Sequence, residues 1–95
     1  MISGVYKIIR CQCDVRIDRG MDESAIKSKA LECGNADDVC ACDSEENGFK
    51  TLASFKNSLS CFTSSSNRYA NVTVYWLVKQ EEDGEIEFIE TADWE

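Results

Sequence analysis

Tyr69-Ala70-Asn71-Val72-Thr73-Val74-Tyr75-Trp76-Leu77-Val78-Lys79 is the stretch that decides the fold class. It is dense in β-branched and aromatic residues, which fit a pleated, half-buried surface better than a helix. Side chains alternate across a strand, so Val72, Val74, Trp76 and Val78 share one face and Thr73, Tyr75 and Leu77 share the other. Trp76, in mid-strand, is expected in the core. Glu81-Glu82-Asp83-Gly84 follows as a hairpin turn, and residues 85–90 return as a second strand. That strand is expected to bury Ile86 and Phe88 and to display Glu85 and Glu87 outward.

Upstream, residues 9–18 alternate strictly. Ile9, Cys11, Cys13, Val15 and Ile17 fall on one face, with Arg10, Gln12, Asp14, Arg16 and Asp18 on the other. This period of two predicts a half-buried strand, which Val5 extends backward. A helix is expected next, with Asp22 as N-cap, Met21 and Ile26 as a staple, Ile26, Ala30 and Cys33 as the apolar stripe, and Gly34 as the stop. Val39 to Cys42 reads as a short strand ending in a turn at Asn47-Gly48. Leu52, Phe55, Leu59 and Phe62 recur at intervals of three and four, which predicts a second helix capped by Thr51. It ends before the serine-rich loop at residues 63–67. The order β–α–β–α–β–β predicts an α+β domain spanning residues 1–95. Its expected architecture is a mixed, mainly antiparallel four-stranded sheet with two helices on one face.

The chain has 95 residues, one domain by length, and a net charge of −8. The charge is uneven. Residues 1–36 carry six bases against five acids, whereas residues 37–95 carry four against thirteen. Beyond Lys79 only acids follow: Glu81, Glu82, Asp83, Glu85, Glu87, Glu90, Asp93 and Glu95. Such a field repels nucleic acid and anionic membranes and steers toward basic surfaces. No apolar run reaches the roughly 20 residues of a membrane helix, and the first residues lack the order of a signal peptide, so a cytoplasmic location is expected. In a reducing cytoplasm the six cysteines are expected as free thiols, and the Asn71-Val72-Thr73 glycosylation triplet has no role.

The absence of histidine removes the commonest general base and metal ligand. Cys11/Cys13 and Cys40/Cys42 are the one metal-like pattern. If their strands are neighbours, four sulfurs can converge, although structural zinc usually takes ligands from knuckle turns. The expectation is that they fill a tight core, with no metal or cofactor. Asp43 to Gly48 imitates half of a calcium loop, but Ser54 stands where the closing carboxylate is required, so the segment reads as a turn. Glu85 and Glu87 have no apolar surroundings to fit them for acid–base work, and no catalytic residue is expected. Trp94 either packs on the sheet edge or anchors an interface.

Phe49-Lys50-Thr51-Leu52, the serine-rich loop, the aromatic strand, the acidic glycine hairpin and the terminal Asp93-Trp94-Glu95 together resemble the small acidic proteins of bacterial mobile elements and prophages, among them anti-CRISPR inhibitors. The resemblance covers the second half of the chain and brings no site residues with it. It implies a non-enzymatic inhibitor that occupies a basic channel on a nucleic-acid-binding defence effector, with mimicry of nucleic acid as one way of doing so. The acids that would carry such binding are Glu82, Asp83, Glu85, Glu87, Glu90 and Asp93, with Trp94 as anchor. The competing expectations are a thiolate metal-binding or redox protein built on the Cys-x-Cys pairs, and a structural homodimer using the outer face of Tyr75 and Leu77.

Overall fold

A computed structural model describes residues 4–32 and 35–95. Its elements are β1 (Gly4–Arg16), α1 (Glu23–Leu31), β2 (Ala36–Cys42), α2 (Glu45–Leu52), β3 (Lys56–Ser64), β4 (Asn67–Glu81), β5 (Ile86–Thr91) and β6 (Asp93–Trp94). The α+β class holds, with two helices and one mixed sheet among the described residues. The sheet has more strands than expected, in the order β2-β1-β4-β3-β6, and β5 pairs with β4.

β4 is the axis of the molecule. At about 3.4 Å per residue its 15 residues run about 50 Å, which sets the long dimension of 54 Å. β1 lies antiparallel along almost all of one edge, from Gly4 opposite Glu81 to Arg16 opposite Tyr69. The other edge is shared. β3 pairs with residues 67–73 of β4, and β5 with residues 76–80.

The join between β3 and β5 is closed by one side chain. Asn57 is fully buried. Its Oδ1 accepts the Tyr75 N–H at 2.7 Å, and its Nδ2 donates to the Ala92 carbonyl at 2.8 Å. The Ala92 N–H donates in turn to the Tyr75 carbonyl, and the Glu95 N–H to the Asn57 carbonyl, each at 3.0 Å. The amide thus stands in for the ladder bonds that neither strand supplies where they abut. Past this point the chain steps outward, and β6 runs parallel to β3 with Trp94 beside Asn57.

The two helices lie on opposite faces, not on one. β1 alternates without interruption along β4, so Ile8 and Val15 point to opposite sides. On the front face Ile8, Leu77 and Ala92 pack with Leu52 of α2. On the back face Val15, Ala70, Val72 and Val74 pack with Ile26 and Ala30 of α1. Each helix covers only part of its face, and a third, smaller cluster of Ile9, Cys11 and Val78, with Trp76 against it, lies on the back face toward the β5 end.

α1 forms as expected: the Asp22 carboxylate accepts the Ala25 N–H at 2.8 Å, and Met21 packs against the cluster that holds Ile26. Cys33 and Gly34 of the expected stripe and stop lie outside the described residues. The second helix is displaced. It begins after Ser44, whose hydroxyl accepts the Asn47 N–H at 3.2 Å. Glu45 and Glu46 sit in its first turn, where they complement the helix dipole. Thr51 is no N-cap; its hydroxyl donates back to the Asn47 carbonyl near the helix end. Residues 56–62, expected as helix, fall instead in β3, which runs on to Ser64, because the open edge of β4 offers a continuous ladder to a serine-rich segment with little helix preference. The serine-rich loop is a tight hairpin turn with Ser65 and Ser66 at φ 51° and 68°, the positive values that match the twist of paired strands. The expected turn at Asn47-Gly48 lies in the first turn of α2, and the half calcium loop is the N-cap Ser44 with that turn. Gly48 belongs there for a packing reason: a Cβ at this position would lie 2.5 Å from Leu77 Cδ1.

Asn57→Ala leaves one fully and one partly buried backbone group without a partner. We expect a loss of about 2–4 kcal/mol in urea unfolding, with faster hydrogen exchange at the Tyr75 amide. Gly48→Ala sets a helix-propensity gain of about 1 kcal/mol against overpacking of about 1–3 kcal/mol on Leu77, which is itself fully buried. The clash wins, and thermal melting is expected to fall by about 5 °C.

Candidate protein-binding surface

Most of the acidic residues singled out in the sequence lie on the β4–β5 hairpin, from the turn at Glu82 and Asp83 along β5 to Glu90. The Gly84 N–H donates to the Glu81 carbonyl at 3.0 Å, and the Glu81 N–H to the Glu85 carbonyl at 2.8 Å, which closes the β4–β5 hairpin. Gly84 sits at φ 91°, a backbone state that residues with a Cβ rarely adopt. The Asp83 carboxylate accepts the Glu85 N–H at 3.0 Å and braces the turn. Glu82, Asp83, Glu85, Glu87 and Glu90 are all exposed. Glu87 lies opposite Lys79, but the Lys79 ammonium is held by Glu81 at 3.6 Å and lies over the Tyr6 ring.

The other two expected contact residues stand apart. Asp93 pairs with Lys56 at 3.7 Å. Trp94 is half-buried against the back-face cluster, with the Lys27 ammonium 4.6 Å from its ring centre. Of the two readings of Trp94, packing on the sheet edge is the one its surroundings match.

Two further expectations are corrected by the register. β5 does not bury its apolar face: Ile86 and Phe88 are 44% and 55% exposed. They lie on the back face opposite Gln80 and Val78, beyond the reach of α1, so no element among the described residues covers them. Phe88 meets Trp76 edge-on at 5.0 Å, and Val5, 53% exposed, lies in the same row across Gln80. Nor does the face of Tyr75 and Leu77 offer a dimer surface. Leu77 is fully buried beneath α2, and Tyr75 stacks on Phe55 at 4.6 Å.

The row of carboxylates is short. Val78 pairs with Phe88 and Leu77 with Glu90, so Ile89 is an extra residue that turns inward against the α2 cluster. This β-bulge breaks the two-residue period after Glu87. Sequence reasoning identified these acids but missed the exposed apolar row beside them. A hairpin strand with no helix in register above it was the available signal.

The cysteine pairs do not converge. β1 and β2 are neighbours, but Cys40 and Cys42 lie opposite Ile8 and Tyr6 on the front face. Cys11 and Cys13 share the back face with Ile9 and Val15. Four sulfurs on two sides of one sheet cannot bind a common metal ion. Cys11 is buried, as a core thiol should be, while Cys61 is exposed on β3. Partial burial holds the Cys42 thiol above its ordinary pKa, and the neighbouring Cys40 adds to the rise; a hydrogen bond with Thr51 opposes it.

No family model, curated protein or solved structure matches this chain.

A raised thiol pKa means the folded state favours the protonated form. Its stabilisation is present below the unfolded thiol's pKa and is lost as pH rises through the folded value. We therefore expect iodoacetamide at pH 8 to alkylate Cys61 well before Cys42, with the gap narrowing as pH rises; mass spectrometry of timed digests measures the order.

Proposed function

We propose that this chain acts by binding, not by catalysis, and that the β4–β5 arm docks onto a basic surface of a nucleic-acid-binding protein. One observation carries the reading. The arm displays Glu82, Asp83, Glu85, Glu87 and Glu90 in solvent beside an uncovered apolar row of Val5, Ile86 and Phe88. The acids supply long-range attraction to a positive partner, and the apolar row supplies area that gains by leaving water. Exposed apolar side chains scattered singly are ordinary, but Ile86 and Phe88 are neighbours on one face of β5, and Val5 of β1 lies on the same face across Gln80 of β4.

Several of the acids elsewhere are paired within the fold. Asp38 pairs with Lys7 at 3.2 Å, Asp37 with Arg10 at 3.9 Å, and Asp93 with Lys56 at 3.7 Å. The excess negative charge is concentrated on the arm, which favours a partner surface built to hold phosphates. Occupying such a surface would displace nucleic acid. An inhibitor of a bacterial defence effector is the form of this role that the sequence resemblance implies.

The test is charge reversal. Glu85, Glu87 and Glu90 changed together to lysine should leave the fold intact by circular dichroism. Affinity for a partner captured from the host cell should fall by at least about tenfold, and wild-type binding should weaken steeply with added salt. A folded triple variant that binds as tightly as wild type would move the interface off the arm.

A further inference from the structure

The sheet ends at β5, and the direction of its backbone groups is fixed by the bonds already described. Tyr75 exchanges hydrogen bonds with Ala92 and Asn57, so the odd-numbered residues of β4 turn their polar groups toward the β3–β5 edge. The even-numbered ones turn toward β1, as the Ile17 N–H donating to the Arg68 carbonyl at 2.9 Å shows. Glu87, opposite Lys79, therefore points its N–H and carbonyl inward to β4. Ile86 and Phe88, opposite Gln80 and Val78, point theirs outward. Among the described residues no strand pairs with that outer edge.

An open edge is a template for another strand, and proteins usually blunt it. β2, at the opposite border, is blunted by a bulge between the partners of Ile8 and Ile9 and by acids paired to bases of β1. β5 is straight from Ile86 to Phe88, and its glutamates have no base in contact among the described residues. Its side chains also sort by face. Glu87 lies on the front, and Ile86 and Phe88 lie on the back.

Three occupants can be compared. A second copy paired edge to edge would set glutamates against glutamates across about 5 Å, which is repulsive. Nucleic acid is repelled by the same charges. An extended segment with alternating basic and apolar residues satisfies every group at once. Its basic side chains would lie beside Glu87 on the front, its apolar ones beside Ile86 and Phe88 on the back, and its backbone would take the four outward groups of Ile86 and Phe88.

We infer that the outer edge of β5 recruits such a segment from the basic partner by strand addition. This rests on the reading of the arm as a protein-binding surface and specifies how that surface engages. The bulge at Ile89 bends the edge away, so the added strand is short and centres on Ile86–Phe88.

The experiment is an NMR titration of 15N-labelled protein at low salt with a blocked peptide of alternating lysine and valine. Two companions accompany it: the same peptide N-methylated along one edge, and an isomer with the lysines and valines in separate blocks. With the alternating peptide we expect shift changes centred on residues 86–91 and exchange of the Ile86 and Phe88 amides slowed by about tenfold or more. The N-methylated and blocked-sequence peptides should give neither. Ile86→Pro removes an outward donor without breaking the ladder to β4, so it should abolish protection at Phe88 while Ile86→Ala retains part of it. If both lysine peptides shift the arm equally and protect no amide, strand addition is overturned and the basic-surface reading stands. If neither perturbs the arm while a captured partner still loses affinity on charge reversal, strand addition again falls alone. If charge reversal is also silent, both readings fall.

Discussion

The buried amide of Asn57 is the constraint on which the rest of the architecture depends. A 15-residue strand has more edge than either β3 or β5 covers alone. Where two strands meet end to end on a third, backbone groups are left facing a gap. Unpaired and buried, each such group costs on the order of 1–3 kcal/mol. Asn57 meets them with one acceptor and one donor, and its own backbone receives the chain end through Glu95. An asparagine suits the position because it carries both functions on a single short planar group.

Once the edge is shared this way, the positions of both helices follow. The chain leaves α2 and enters β3 at the join, which keeps α2 over the front face at the β5 end, where Leu52 reaches Ile8 and Leu77. α1 emerges from the far end of β1 and folds over the back, where Ile26 and Ala30 reach Val15 and Val72. Neither helix is long enough to cover a sheet this extended. The core is therefore split among the described residues: a front cluster under α2, a back cluster under α1, and a small back-face cluster of Ile9, Cys11 and Val78, beside which Ile86 and Phe88 of β5 stay exposed.

Those exposed side chains coincide with the densest acidic stretch of the chain. Exposed carboxylates beside bare apolar side chains oppose self-association and, in the role proposed above, favour oppositely charged partners. Along β2 the same type of charge is neutralised within the fold by Lys7 and Arg10. The two borders of the sheet thus have similar acids and different electrostatic roles, decided by which residues stand across the ladder.

The sequence by itself determined whatever depends on local period and capping. β1, β4 and the hairpin after it are legible from alternation, and α1 from its Asp22 cap and the Ile26–Ala30 stripe. The acids at the hairpin were legible too, because charge needs no neighbours to be read. Only the tertiary structure decided what depends on long-range pairing. Residues 52–62 carry apolar residues at helical spacing, yet Lys56–Ser64 is a strand because the free edge of β4 rewards extended backbone with a full ladder. Cys-x-Cys pairs on adjacent strands fall on opposite faces because register, invisible locally, turns every side chain over with a shift of one residue. Ile86 and Phe88 alternate like buried residues and are exposed, because burial requires a layer above the strand and the short helices end before they reach it.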